Sequence, residues 1–198
     1  MSPYTLHELM SDKKNLKSEI ETLYVFRSCS PVYGTKPILS MLEQAALGSF
    51  IRGGRFNERG QFHMLYLSLD RETCLAELDK YAALGGIRLK DNPPHPVTVA
   101  PWRVKLSCVL DLTDATVRQQ LRIDEQILSQ TDWETLQNHY EIIAATQRIG
   151  KIARDFGFAG LLTPSVAKPG GKNLNVFIDN IDQGQDVCEV CRLGEFPA

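Results

Sequence analysis

RGGRFNERGQFHMLYLSLDRETCLAELDKYAAL (52–84) places a glycine-bearing loop, a short apolar strand and a helix in direct succession, and this stretch decides the fold. MLYLSL (64–69) has the apolar content of a buried strand. Asp70 can cap the following helix, because its carboxylate accepts hydrogen bonds from the first helical N–H groups. One face of that helix is apolar, formed by Cys74, Leu75, Leu78, Tyr81 and Ala82. Gly85 and Gly86 are predicted to end it.

Upstream of this stretch the sequence predicts one strand and one helix. TLYVFRS (22–28) has the aromatic and β-branched content of a strand. ILSMLEQAAL (38–47) has helical spacing, with Pro37 as its opening residue and Gly48 as its predicted end.

Downstream, a proline-rich loop, KDNPPHP (90–96), precedes VTVAPWRVKLSCVLDL (97–112), which is either one long strand or two strands broken at Pro101. TQRIGKIARDFG (146–157) has the spacing of an amphipathic helix closed by Gly157. The remaining candidate strands are FAGLLTPS (158–165), NLNVFID (173–179) and an edge strand at CEVCRLG (188–194).

The chain is predicted to form one α+β domain. Its 198 residues fit a single domain, and the order of strands and helices is mixed rather than a regular β-α-β alternation, which argues against a doubly wound sheet. Residues 1–21 are predicted as an N-terminal helical lead-in, and residues 113–145 as a polar helical segment.

Composition limits the class of protein. The formal net charge is −2, from 22 basic and 24 acidic residues, so the chain has no general attraction to nucleic acid or anionic membranes. No secretion signal or bilayer-spanning apolar run is visible. The five Cys are therefore expected to be reduced thiols in a cytoplasmic protein.

Four residues between 52 and 165 suggest chemistry, although each has an ordinary explanation when taken singly. Arg55 beside two glycines can bind phosphate oxygens, or lie in a solvated surface turn. Glu77 lies at the border of the apolar helix face. There, partial burial could shift the pKa of its carboxylate; the ordinary alternative is an exposed glutamate that pairs with Lys80. The ordinary explanation of Tyr66 is a tyrosine in the core, and that of Ser165 is a serine at the end of a strand.

Other motifs carry less chemistry. CEVC is a single C-x-x-C pair of Cys188 and Cys191, whereas a structural zinc needs four ligands. The four His show no metal-ligand spacing, and no G-x-S-x-G motif is present. No metal site is predicted, and the role of the two cysteines is left open.

The order of these motifs resembles the RES-domain family, named for an Arg, a Glu and a Ser. The resemblance rests on Arg27, GGRFNERG (53–60), MLYLSL, LAELDKY (75–81), and GLLTPSV (160–166) ahead of NLNVFID. It implies an ADP-ribosyltransferase-like fold of mixed small β-sheets flanked by helices, over residues 22–198. The segment 113–145 is then an insertion, and Phe56 stands where the family usually has Trp.

The resemblance also implies a set of site residues. Glu77, Arg55, Ser165 and Tyr66 are expected to be catalytic, with Ser165 holding the nicotinamide ribose or positioning Glu77, and Tyr66 stacking on the nicotinamide ring. The expected substrate-binding residues are Arg27, Arg55, Gly54, Asn57, Tyr66, Asn173 and Asn175. Arg55 and Arg27 would hold a diphosphate, and the choice between Asn173 and Asn175 is left open.

The function implied is that of a toxin that cleaves the nicotinamide–ribose bond of NAD+, by hydrolysis or phosphorolysis. NAD+ is then the substrate, no cofactor is required, and an Xre-type helix-turn-helix antitoxin is the expected partner. An ADP-ribosyltransferase acting on a protein, or a non-catalytic module that binds NAD or ADP-ribose, remains an alternative. Direct binding to nucleic acid or membrane is not expected, and a homo-oligomer is left open.

Overall fold

The structure, a computed structural model, describes residues 4–11, 13–29, 38–84 and 98–191. The predicted features at Pro37, at Gly85 and Gly86, and in the loop 90–96 lie outside these residues. None of the helices within the described ranges combines the length and apolarity needed to cross a bilayer.

Six strands and eight α-helices make up the described part of the chain. The strands are β1 (Lys17–Cys29), β2 (Met64–Ser68), β3 (Thr98–Asp111), β4 (Gly160–Pro164), β5 (Lys172–Phe177) and β6 (Val187–Val190). The helices are α1 (Tyr4–Met10), α2 (Lys13–Leu16), α3 (Ile38–Arg52), α4 (Arg71–Leu84), α5 (Ala115–Gln120), α6 (Glu125–Gln130), α7 (Trp133–Tyr140) and α8 (Ala145–Asp155). A short 3-10 turn, Ile178–Asn180, follows β5.

The strands are hydrogen-bonded in the order β1-β2-β5-β4-β3-β6, and β1 also pairs with β3. The β1–β3 ladder is antiparallel and runs from Lys17↔Leu110 to Cys29↔Thr98, whereas β1 meets β2 only at Phe26↔Ser68. The pairings of five strands therefore close on themselves. The β3–β4 pair is parallel, and all other pairs are antiparallel.

Side chains that alternate along the strands contribute to two hydrophobic cores, one on each face of the sheet. In β2, Met64 belongs to one core, and Leu65 and Leu67 belong to the other, because successive strand side chains point to opposite faces. Helices cover both faces: Leu128 of α6 and residues of α8 pack into the first core, and Leu42 of α3 packs into the second. The α+β class predicted from the sequence is confirmed.

Three local expectations differ from the structure. The strand β1 begins at Lys17 rather than after a helical lead-in ending at 21, because pairing with β3 extends to Lys17. Helix α3 continues through Gly48 and ends at Arg52, just before Gly53, whose positive φ of 79° breaks the helical geometry. The described strands also form one six-stranded sheet rather than small separate sheets.

The strand 98–111 is continuous, so the one-strand alternative is correct. Pro101 lies opposite Phe26 of β1, and its carbonyl accepts a hydrogen bond of 2.9 Å from Cys191 N. The predicted edge strand at CEVC is β6, which pairs with β3 from Trp102↔Val190 to Lys105↔Val187.

The polar segment 113–145 is helical as predicted and consists of α5, α6 and α7. Each helix is capped by an aspartate: Asp114, Asp124 and Asp132 accept hydrogen bonds from Thr116 N, Gln126 N and Thr135 N. These caps explain how short, polar helices form, because they satisfy N–H groups that have no partner inside the helix.

Candidate active site

A cavity of about 750 Å³ brings together seven of the nine predicted site residues. Its wall is formed by β1, the end of α3 with the following loop, β2, α4, β5 and the segment between α6 and α7. Arg27, Gly54, Arg55, Tyr66, Glu77, Asn173 and Asn175 all line it. Arg55 and Glu77, which the sequence predicted to act together, therefore face one cavity.

The Glu77 carboxylate is held through one of its two oxygens. Ser165 Oγ donates a 2.6 Å hydrogen bond to Glu77 Oε1, and Asn173 Nδ2 donates a 2.7 Å bond to the same atom. No described residue donates a hydrogen bond to Glu77 Oε2. One oxygen is thus fixed in place, and the other is available to a ligand in the cavity.

Asn173 is oriented by a residue that the sequence reasoning missed. Ser68 lies opposite Asn173 in the β2–β5 ladder, and its Oγ donates a 2.9 Å hydrogen bond to Asn173 Oδ1. The amide nitrogen of Asn173 is therefore turned toward Glu77. Alternation from Tyr66 puts Ser68 on the same strand face, which was the available sequence signal.

Ser165 acts on the cavity through Glu77. It is not itself part of the wall that the described residues form. Its Oγ accepts 3.1 Å hydrogen bonds from Ala167 N and Lys168 N, so the hydroxyl proton is free to point at the carboxylate. Of the two roles expected for Ser165, positioning Glu77 is the one that this geometry supports.

The Ser165 loop is also tied to the start of α4, the helix that carries Glu77. Lys168 Nζ lies 3.0 Å from Asp70 Oδ1 and 2.8 Å from Glu72 Oε2. Asp70 caps α4 as predicted, since its Oδ1 accepts a 2.7 Å bond from Thr73 N. These contacts join the loop of Ser165 to the start of α4, so the two elements that position the Glu77 carboxylate are bonded to each other.

Arg55 is a half-buried cation whose guanidinium makes no hydrogen bond with the described residues. Burial lowers the pKa of Arg55, and the nearby Glu77 and Tyr66 oppose that shift. No ion pair joins Arg55 to Glu77, although the two are close enough to interact electrostatically. The donors of Arg55 can therefore serve an anionic ligand.

The loop that carries Arg55 is clamped by Tyr66. The Tyr66 hydroxyl donates to Asn57 Oδ1 at 2.9 Å and accepts from Phe56 N at 3.0 Å. Burial raises the pKa of Tyr66, so the hydroxyl remains a donor. Gly54 permits this contact, because a Cβ atom there would lie 2.4 Å from the hydroxyl oxygen.

Arg27 braces the scaffold of the cavity. Its Nη1 donates to Tyr66 O at 2.8 Å and its Nη2 to Ala45 O at 2.5 Å, which joins β1 to β2 and α3. Each of these two nitrogens carries a second N–H, and the diphosphate contact of Arg27 stays a prediction.

The three predicted asparagines lie in different environments. Asn173 contacts Glu77, whereas Asn175 Nδ2 donates to Thr163 Oγ1 at 3.0 Å. Asn57 differs from the other two: it is fully buried and is not part of the cavity wall, and its predicted contact with substrate is not supported by this position. Its Nδ2 donates to Ser49 O at 2.8 Å and its Oδ1 accepts from the Tyr66 hydroxyl, so the side chain joins the Arg55 loop to α3 and β2.

A second missed residue, Gln147 of α8, supports the same loop from behind. This fully buried side chain donates to Gly54 O at 3.1 Å, Asn57 O at 3.3 Å and Gln137 Oε1 at 2.9 Å. Gln137 of α7 in turn donates to Arg52 O at 2.9 Å. The polar helices thus contact the loop of Arg55, a connection that no local sequence pattern signals.

Within the described ranges, no group of three or more His, Cys, Asp or Glu is placed to hold a metal ion. Cys188 is buried in the second hydrophobic core, where it packs as an apolar residue.

Known proteins resemble this chain in sequence and in fold. A family model described as the RES domain matches residues 25–197. A protein of Mycobacterium tuberculosis (strain ATCC 25618 / H37Rv), named "Probable NAD(+) phosphorylase Rv3189", is 33% identical over 126 residues, which are 63% of this chain. The match spans about half of that relative, 53% of its length.

The crystal structure of the M. tuberculosis MbcT-MbcA toxin-antitoxin complex contains a chain of similar fold. The TM-score is 0.67 at 17% identity, over 93% of this chain and 89% of that one. At this identity the similarity shows that the fold is shared.

Proposed function

The chain belongs to the RES domain family, and from this premise we propose that it is a toxin that cleaves the nicotinamide–ribose bond of NAD+. Two findings support the proposal beyond family membership. The M. tuberculosis relative is named as an NAD(+) phosphorylase, and the chain of similar fold comes from a toxin-antitoxin complex.

One observation carries the mechanism: Glu77 Oε1 is fixed by Ser165 and Asn173, and Oε2 is left to the cavity. A carboxylate held in this way is already oriented, so little free energy is spent on reorienting it when positive charge develops beside it. The transition state for cleavage of a glycosidic bond is an oxocarbenium-like sugar, which such a carboxylate stabilises.

The leaving group needs no protein acid. The nicotinamide ring of NAD+ is a cation, and it departs as a neutral base with the electron pair of the broken C–N bond. Glu77 can therefore stay ionised throughout, holding a ribose hydroxyl or facing the anomeric carbon through Oε2. Ser165 and Asn173 keep the carboxylate in that orientation.

Arg55 is the residue that we assign to the diphosphate. Its planar guanidinium matches phosphate oxygens, and charge-assisted hydrogen bonds of this kind are stronger than neutral ones. The cavity of about 750 Å³ is within the range of ligand sites. Tyr66 maintains the turn that presents Arg55. Because Tyr66 also lines the cavity, we propose that its ring stacks on the nicotinamide.

Inorganic phosphate is the acceptor that we favour, because the relative is named as a phosphorylase. A phosphate oxygen would form the new bond to the anomeric carbon as nicotinamide leaves, giving ADP-ribose phosphate. Water would give ADP-ribose, and a protein acceptor would give an ADP-ribosylated target. Mass spectrometry of products formed with and without phosphate separates the three.

An antitoxin of the Xre helix-turn-helix type is the partner that we propose, and the cytoplasm is the proposed site of action. The toxin-antitoxin complex of similar fold supports a protein partner. Co-expression with the product of an adjacent gene should restore growth that this chain alone arrests.

The direct test follows nicotinamide release from NAD+ by the purified chain. Glu77→Gln should lower kcat about 100-fold or more, and Arg55→Ala should raise the KM for NAD+. Asp79→Asn and Arg71→Ala are matched controls, because both residues are exposed on the same helix and outside the cavity. Equal rates for Glu77→Gln and wild type would refute the role of the carboxylate.

A further inference from the structure

Trp133 is an aromatic residue of the cavity wall that the mechanism above does not use. It is half-buried at the start of α7 and lines the same cavity as Glu77. It belongs to neither hydrophobic core. Its indole makes no hydrogen bond or ring contact within the described part of the chain. Among the residues that the structure describes, neither core packing nor a hydrogen bond accounts for the position of this ring.

Helix α7 holds this ring in a defined place. Asp132 caps the helix at Thr135 N, with a hydrogen bond of 3.1 Å. Gln137, one turn after Trp133, is hydrogen-bonded to Arg52 O and Gln147. Residues four apart share a helix face, so Trp133 is on the face that meets the Arg55 loop.

The helix of Trp133 is joined to the loop that carries Arg55. Gln137 of α7 donates a 2.9 Å hydrogen bond to Arg52 O, three residues before Arg55. Trp133, Arg55 and Glu77 all line the same cavity. Carboxylate, guanidinium and indole therefore share one cavity wall, with the indole on the helix bonded to the loop of the guanidinium.

A dinucleotide has one group for each of these side chains: the reacting ribose, the diphosphate, and a second nucleoside with a planar base. We propose that Trp133 is the platform on which the adenine base of the substrate stacks. This inference rests on the proposed function and adds the subsite for the non-reacting end. Bases stack on aromatic side chains without needing a hydrogen-bond partner.

The two tryptophans of the chain permit a direct optical test. Trp102 is 2% exposed, and its buried N–H makes no hydrogen bond with a described residue. Trp102→Phe therefore removes an unsatisfied donor and leaves Trp133 as the sole indole. AMP and ADP-ribose should quench its fluorescence, and nicotinamide mononucleotide, which lacks adenine, should not.

A second measurement does not depend on the folding of Trp102→Phe. In the wild-type background, Trp133→Ala should raise the KM for NAD+ about 10-fold with little change in kcat. Trp133→Phe keeps a planar ring and should restore most of the loss. With nicotinamide mononucleotide as the substrate, wild type and Trp133→Ala should have the same kcat/KM.

The outcomes separate this inference from the proposed function. Nicotinamide release with an unchanged KM in Trp133→Ala, or quenching by nicotinamide mononucleotide but not by AMP, would overturn the adenine subsite alone. A lower kcat at constant KM would also overturn it, because stacking of a remote base acts on binding. Failure of the wild-type chain to release nicotinamide would overturn the proposed function itself.

Discussion

Substituting Gly150 by alanine should damage both stability and the active-site loop. Gly150 lies inside α8, where a Cβ atom would be 1.8 Å from Phe56 O. Real Cβ contacts are essentially never shorter than 3.0 Å, so helix and loop must separate by at least 1.2 Å, the difference between these distances.

The cost follows from the hydrogen bonds across this contact. Gln147 donates to Gly54 O at 3.1 Å and to Asn57 O at 3.3 Å, and neither bond survives a separation of that size. Leaving buried partners unsatisfied costs roughly 1–3 kcal/mol each. The higher helix propensity of Ala stabilises α8 by only about 1 kcal/mol relative to Gly. With two such bonds lost, we expect a net loss of about 1–5 kcal/mol.

Gly48→Ala is the matched control, because Gly48 is also inside a helix but has nothing within 4 Å of its Cβ position. It should stabilise the protein by about 0.5–1 kcal/mol. Urea unfolding measures both variants, and Gly150→Ala should also have a raised KM for NAD+ because Arg55 moves. A Gly150→Ala protein as stable as Gly48→Ala would refute the packing of α8 on the loop.

Three further substitutions test the site and its scaffold. Ser68→Ala should lower kcat about 10-fold, because the amide of Asn173 is no longer oriented toward Glu77. Ser68→Thr keeps the hydroxyl and should have a kcat near that of wild type. Equal kcat values for wild type and both variants would contradict this role of Ser68. Tyr66→Phe should destabilise the fold by about 2 kcal/mol in urea unfolding, since Phe56 N and Asn57 Oδ1 lose their partner. Asp70→Ala should cost about 1 kcal/mol through the lost helix cap. Burial acts to raise the pKa of Asp70, but hydrogen bonds from Thr73 and Lys168 outweigh it and hold the pKa below its usual 3.8. The stabilisation that the Asp70 charge provides is therefore complete above pH 3.8. It is lost as the pH falls through the lowered pKa. A stability difference that stays constant from pH 7 to pH 2 would show that the Asp70 charge is irrelevant.

Local chemistry made much of the fold and the family predictable from sequence. Asp70 caps α4 and Gly157 closes α8 as expected, because caps depend on neighbours a few residues away. The motifs around Arg55, Glu77 and Ser165 predicted a resemblance to the RES-domain family that is confirmed. Positions where partners are distant were not predictable: β1 starts at Lys17 because β3, about 90 residues later in the chain, pairs with it.

The sequence alone therefore determined the elements, the family and the candidate residues, since each depends on residue type and short-range spacing. Only the tertiary structure decided which oxygen of Glu77 is held, that Ser68 orients Asn173, and that Asn57 is fully buried. The Ser165–Glu77 bond joins residues 88 apart, and Gln147 reaches Gly54 across 93. A hydrogen bond needs its two atoms within about 3 Å, and at such separations in the chain only the packing of strands and helices brings them there.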